Sequence, residues 1–263
     1  MITYHLSSDQ PVGVFDSGLG GLSTLKKLTA LLPNEKFIFY GDHENAPYGS
    51  KSADEVRRLS LACAEKLMFR RVKAIVIACN TATSASAKVL RAYYPFLPII
   101  GAEPAVKPAV TAFPGGEIIV MATEMTLAEE KFRSLCDKYK DMADIVPLPC
   151  PGLMEFIERG ETDGEELRAY LEGRLKPVIT GRTKAIVLGC THYPFAKRII
   201  SEVAGEGITL FDGNLGIAKE LSRRLTESGL AANSSEKGYI TFIGSGMSED
   251  IEKTTEKLME LEI

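Results

Sequence analysis

The sequence predicts an α/β protein made of two similar, doubly wound parallel-sheet domains. They are related by pseudo-two-fold symmetry, with an active site in the cleft between them. Three observations carry this. Short apolar runs alternate with helical patterns along the whole chain, which is the signature of a parallel sheet covered on both faces. Runs such as Ala74-Ile75-Val76-Ile77-Ala78 are continuously apolar, as strands buried on both faces require. One strand-and-cysteine segment occurs twice: Lys73-Ala-Ile-Val-Ile-Ala-Cys79-Asn-Thr81 returns as Lys184-Ala-Ile-Val-Leu-Gly-Cys190-Thr-His192, 111 residues later.

The elements follow in order. Pro11 to Phe15, Lys36 to Tyr40, Ala74 to Ala78 and Leu97 to Gly101 read as strands. Gly20 to Leu32 is a helix, with Leu22, Leu25, Leu28 and Leu32 at helical spacing. Ser52 to Arg71 is another, opened by the capping box Ser52 and Glu55. The pattern then restarts. Glu117 to Met121 is a strand, and Thr126 with Glu129 forms a second capping box before a helix to about Tyr139. Asp144 to Leu148, Ala185 to Leu188, Ile208 to Phe211 and Tyr239 to Ile243 are strands. Asp163 to Leu175, Leu215 to Glu227 and Glu249 to Leu261 are helices, with a further helix between Leu188 and Ile208. Periodicity alone does not place the segment after about Gly213 with either half.

Composition narrows the function. Hydrophobic residues are 45% and charged residues 25% of 263, which excludes a disordered chain. A net charge of −4 gives no global attraction to nucleic acid or anionic lipid. Met1 to Gln10 is polar, so no secretory signal is expected, and no apolar stretch reaches membrane-spanning length. Five cysteines without a CxxC pair argue for a reducing compartment, so the expected location is cytoplasmic.

Ligands of open parallel sheets bind beyond the carboxyl ends of the strands. The residues there are Asp16-Ser17-Gly18, Asp42, Cys79-Asn80-Thr81, Thr123 to Thr126, Cys190-Thr191-His192 and Asp212. The turn Gly18-Leu19-Gly20-Gly21 exposes backbone N–H groups that would attract a carboxylate. The hydroxyls and amides of Ser17, Asn80, Thr81, Thr83, Thr123, Thr126 and Thr191 suit a small zwitterion, although each alone is more simply a helix cap. Cys79 and Cys190 each precede a helix start, which is expected to lower a thiol pKa. Cys63, Cys136 and Cys150 read as packing residues. Zinc spacing is absent, so no metal is expected.

These segments resemble the glutamate racemases, within the cofactor-independent aspartate/glutamate racemase superfamily. The resemblance rests on Gly13-Val-Phe-Asp16-Ser17-Gly-Leu-Gly-Gly-Leu22, Pro47-Tyr48-Gly49, Ala78-Cys79-Asn80-Thr81-Ala82 and Gly189-Cys190-Thr191-His192-Tyr-Pro194, in order, and runs from about Pro11 to Gly246. It implies interconversion of L- and D-glutamate without pyridoxal phosphate or any other cofactor, supplying D-glutamate for peptidoglycan. Cys79 and Cys190 match the two catalytic cysteines, and Asp16 and His192 the groups that tune them. Asp16 and His192, with Ser17, Pro47, Tyr48, Gly49, Asn80, Thr81, Thr123, Thr126 and Thr191, match substrate-holding positions. Glu103-Pro104 and Glu155 resemble further family positions. The expected partner is glutamate, with no nucleic acid and no membrane; a homodimer is admitted. Three stretches depart from the family: Ala122-Thr-Glu-Met-Thr126 lacks two glycines, Asp42-His-Glu-Asn-Ala46 precedes Pro47, and Asp212-Gly213-Asn214 comes late. The alternatives are an aspartate racemase or related two-cysteine isomerase, a non-catalytic amino-acid-binding protein, and a redox protein with a Cys79–Cys190 disulfide.

Overall fold

The computed structural model describes residues 5–263; residues 1–4, the start of the polar N-terminal stretch, lie outside it. The first half runs β1 (Val12–Asp16), α1 (Leu22–Leu31), β2 (Phe37–Asp42), α2 (Ala53–Phe69), β3 (Ala74–Ile77), α3 (Asn80–Tyr93) and β4 (Ile99–Gly101). The second runs α4 (Val106–Ala112), β5 (Glu117–Ala122), α5 (Glu124–Ala128), α6 (Glu130–Tyr139), β6 (Asp144–Pro149), α7 (Leu153–Glu158), α8 (Glu165–Leu175), β7 (Thr183–Leu188), α9 (Lys197–Ala204) and β8 (Thr209–Asp212). The chain ends with α10 (Asn214–Glu227), β9 (Ile240–Ser245) and α11 (Glu249–Glu260).

Two all-parallel sheets result, ordered β4-β3-β1-β2-β9 and β6-β5-β7-β8. Read from the far edge, β2-β1-β3-β4 and β6-β5-β7-β8 are the same order, so the sequence repeat is a repeat of topology. The C-terminal return adds β9 beside β2 in the first sheet, while α10 and α11 pack on α1.

The central strands bury side chains on both faces. Val14 and Val76 point into a core shared with Ile119, Met121, Ile186 and Leu188 of the second sheet. Phe15, Ile75 and Ile77 point away from it, onto α2 and α3. That core also takes in apolar residues of α1, α7, α8, α9 and α10, which cover these sheet faces and join the two halves. Burying these faces is the main stabilising term, at about 25 cal/mol per Å² of apolar surface.

Two helix starts need comment. Ser52 caps α2 as expected, its hydroxyl accepting the Glu55 N–H at 3.2 Å. The second capping box is displaced. Thr126 lies inside α5, and the cap is Thr123, whose Oγ1 accepts the Thr126 N–H at 3.2 Å. The helix to Tyr139 begins separately at Glu130. Thr123 directly follows β5, so the hydroxyl nearest the strand end takes the orphan donors first. Buried Lys73 pairs with Glu35 at 2.7 Å and donates to the Ser8 carbonyl, while Glu35 Oε1 accepts the Ala232 N–H at 2.7 Å. This pair ties the N-terminal segment and the C-terminal return to the base of the first sheet. Among the described residues no helix is long and apolar enough to cross a membrane.

Candidate active site

The strand ends place the candidate residues. Asp16 closes β1, and Ser17 follows it. Cys79 leaves β3 and caps α3, its sulfur accepting the Ala82 N–H at 3.4 Å, with Ser17 Oγ 3.8 Å away. Cys190 leaves β7 through Gly189. A Cβ on Gly189 would lie 2.7 Å from the Met121 carbonyl oxygen, so only glycine lets the chain turn there. Asp16, Ser17, Asn80, Thr81, Thr126, Thr191 and His192 are all buried, as are both cysteines.

Three hydroxyls from the two halves meet. Thr81 Oγ1 of α3 lies 3.1 Å from Thr123 Oγ1 and 3.3 Å from Thr126 Oγ1, and Thr123 and Thr126 are 3.0 Å apart. Their O–H groups can rotate to donate in common to one anion. Pro47 and Gly49 approach from the first half. Together with Thr123, Cys150, Glu155 and Tyr193 they line a cleft between the halves. Thr191 is held through its carbonyl, which accepts the Ser23 hydroxyl at 2.6 Å. Asn80, Cys190 and Thr191 line a second, small cavity.

The glycine turn holds carboxylates, but they are the protein's own. Asp16 Oδ2 accepts the N–H groups of Gly18 (3.2 Å) and Gly21 (3.0 Å). The Leu19 N–H donates to Glu158 Oε1 at 2.7 Å. Glu158, at the end of α7, escaped the sequence reading. It lies 2.6 Å from His192 Nε2, and His192 Nδ1 lies 3.5 Å from the Cys190 sulfur. The Gly20 N–H points at the same Nε2 from 3.1 Å. A ring nitrogen offers either a proton or a lone pair, and the shorter, charge-assisted contact to Glu158 takes the proton.

Electrostatics separate the two cysteines. Burial, with the Asp16 charge and Cys190 adding to it, pushes the Cys79 thiol well above its ordinary range, and the Ala82 N–H offsets only part. The expected lowering by a helix N-terminus is therefore overturned at Cys79: desolvation disfavours the charged form more than one N–H favours it. Cys190 has no α-helix start beside it. A 3₁₀ turn, Tyr193–Ala196, follows, and its polar neighbour is His192. Burial works against charge on His192, but Cys190 and Glu158 outweigh it and hold the ring protonated well above the usual imidazole range. Glu158 is half-buried, and although desolvation raises it, His192 and the Leu19 N–H keep it below the usual carboxylate range. Burial raises Asp16 against the pull of His192 and two N–H groups, and its Oδ1 has no hydrogen-bond partner.

The other three cysteines are free, Cys63 and Cys150 buried and Cys136 half-buried. Burial pushes Cys63 and Cys150 up to about 12. Among the described residues no group of three or more His, Cys, Asp or Glu is arranged to hold a metal ion.

The family description Asp/Glu/hydantoin racemase matches residues 13–221. A glutamate racemase of Clostridium perfringens is 49% identical over 251 residues, covering 95% of this chain and 96% of that one. Among solved structures, a glutamate racemase isoform of Bacillus anthracis superposes with a TM-score of 0.86 at 28% identity, over 97% of this chain and 96% of that one. The Francisella tularensis glutamate racemase in complex with D-glutamate does so with a TM-score of 0.84 at 28% identity, with the same coverage of both chains.

Proposed function

The chain belongs to the Asp/Glu/hydantoin racemase family, and from that premise we propose that it is a glutamate racemase, interconverting L- and D-glutamate by proton transfer between two cysteines. The observation that carries this reading is the equivalence of Cys79 and Cys190. Each follows the third strand of its own sheet, the two sheets share one strand order, and the sulfurs are buried in unlike surroundings.

Inversion at Cα needs a base on one face and an acid on the other. Cys79, held as a thiol, is the acid of the resting enzyme. Cys190, with the His192 ring 3.5 Å from its sulfur, is the base of this passage. In one passage Cys190 S⁻ takes the α-proton and becomes a thiol. Cys79 S–H then delivers its proton to the opposite face and becomes the thiolate. The substrate leaves inverted with its charge unchanged, and the enzyme is left ready for the reverse passage. Glu158 neutralises His192 throughout.

The α-proton is far less acidic than a thiol, so charge developing at Cα and its carboxylate must be stabilised. The Thr81, Thr123 and Thr126 hydroxyls meet that need for one carboxylate, in a site dry enough to strengthen each contact. Asp16, with Oδ1 unpartnered, receives the ammonium. Ser17 and Asn80 lie beside Cys79, and Thr191 and His192 beside Cys190. Pro47, Tyr48 and Gly49 close the remaining side. No cofactor enters this scheme. We assign residues 1–101 with 213–263 to the domain of Cys79 and 102–212 to that of Cys190. The product feeds peptidoglycan assembly in the cytoplasm. A homodimer is compatible with this reading, and sedimentation would show it as twice the 28.7 kDa mass.

The test is solvent deuterium wash-in at Cα, run side by side on both enantiomers of glutamate and aspartate. Incorporation into glutamate from either enantiomer is the expected result. Incorporation into aspartate alone would move the substrate assignment, and binding without exchange would make the protein an amino-acid binder.

A further inference from the structure

We propose that Ser245, the last residue of β9, is a positioning residue for the Pro47-Tyr48-Gly49 loop, acting through Asp42. This rests on the reading of that loop as a wall of the substrate site. Nothing in the local sequence around Ser245 points to such a role.

Asp42 and Ser245 are register partners at the ends of adjacent strands β2 and β9. The Ser245 hydroxyl donates to Asp42 Oδ1 at 2.8 Å and accepts the Glu44 N–H at 3.1 Å, so both its capacities are used. The Asn45 amide also donates to Asp42 Oδ1, at 3.1 Å. The other oxygen, Oδ2, accepts the Tyr48 hydroxyl at 2.7 Å. Burial, with Cys63 and Asp42 nearby, holds the Tyr48 phenol far above its ordinary range, so it stays a donor at every working pH. Asp42 and Tyr48 are buried, and Ser245 is 9% exposed. Water therefore competes little for these contacts, and a lost partner leaves a polar atom stranded. On the far side the loop abuts the second half: a Cβ on Gly49 would lie 3.2 Å from Thr123 Cβ.

A continuous path thus runs from Ser245 to Asp42, to Tyr48 and Gly49, and to Thr123 of the hydroxyl triad. The strand contributed by the C-terminal return fixes where the substrate loop sits against the opposite half. Without it, Asp42 keeps only Asn45 on Oδ1, and the Glu44 N–H at the root of the loop loses its acceptor. The cysteines and His192 are untouched, so the loss falls on binding rather than on proton transfer.

The experiment compares the full-length protein with Ser245→Ala and Ser245→Thr, by glutamate kinetics and by backbone hydrogen exchange. For Ser245→Ala the KM for glutamate is expected to rise about tenfold with kcat within about twofold. Exchange over residues 43–50 should be faster while the rest of the chain is unchanged. Ser245→Thr, which keeps the hydroxyl, should restore both. Unchanged exchange over 43–50, or exchange raised uniformly with a lower unfolding midpoint, overturns the proposal. A selective exchange effect in a protein that does not turn over glutamate leaves the positioning intact and overturns the substrate assignment instead. The two readings therefore fail separately.

Discussion

His192 Nε2 lies 2.6 Å from Glu158 Oε1, and the carboxylate is held in turn by the Leu19 N–H of the opposite half. One partly buried ion pair thereby joins the tuning of Cys190 to the contact between the two halves. Its charge is local and opposed by desolvation, so its effect depends on both partners being ionised.

Glu158→Gln removes the counter-charge of His192. The imidazolium then titrates at lower pH, and the alkaline limb of kcat/KM should move down in pH with a loss of up to about 10²-fold at neutral pH. Stability follows the same signs. His192 is raised in the folded state, so its contribution is complete below about pH 6.5 and is lost as pH rises through the folded value. Glu158 is lowered, so its contribution is complete above its unfolded value and is lost as pH falls through the folded one. Urea unfolding of both proteins across pH should show the stability gap between them closing at both ends. A gap constant with pH would reject the ion pair.

Cys79→Ala and Cys190→Ala each remove one face of the inversion. Racemisation followed by polarimetry should fall by at least about 10³-fold in either variant, with far-ultraviolet circular dichroism unchanged. Retention of full activity by either variant would reject the two-base assignment.

Gly20→Ala tests how closely the halves must meet. The added Cβ would stand 2.2 Å from His192 Nδ1, on a ring already pinned by Cys190 and Glu158. The cost is about 1–3 kcal/mol of stability, with a larger relative loss of activity because His192 must shift. Thermal unfolding and kcat measured on one preparation check both.

Lys73→Met strands Glu35 in the base of the first sheet. Removing one partner of a buried pair costs about 3–5 kcal/mol. The double variant Lys73→Met with Glu35→Leu should recover much of this in urea titration, since no buried charge is then left alone. Activity per folded molecule should stay unchanged, as the pair lies at the end of the sheet opposite Cys79.

Much of this was legible in the chain because its cause is local. Continuous apolar runs made β1, β3, β5 and β7 central strands, and the residues just beyond them became the site. The repeated strand made Cys79 and Cys190 one position seen twice. The small elements were not legible. Six-residue α7 is too short to show a helical period, and Glu158 at its end acquires its role from Leu19, 139 positions away. The same limit hid the cap at Thr123, because on paper Thr126 with Glu129 has the capping-box pattern and Thr123 with Thr126 does not.

Lys73 and Lys184 mark the boundary most clearly. They occupy the same place in the repeated segment, yet Lys73 is fully buried against Glu35 while Lys184 is exposed. The sequence by itself determined two α/β halves with one cysteine each at matched strand ends, because strand burial and strand-end position follow from short-range pattern. Only the tertiary structure decided which carboxylate supports the imidazole beside Cys190 and which lysine is enclosed. Those depend on which surfaces meet when the two sheets share a core, and contacts between distant segments leave no local period to read.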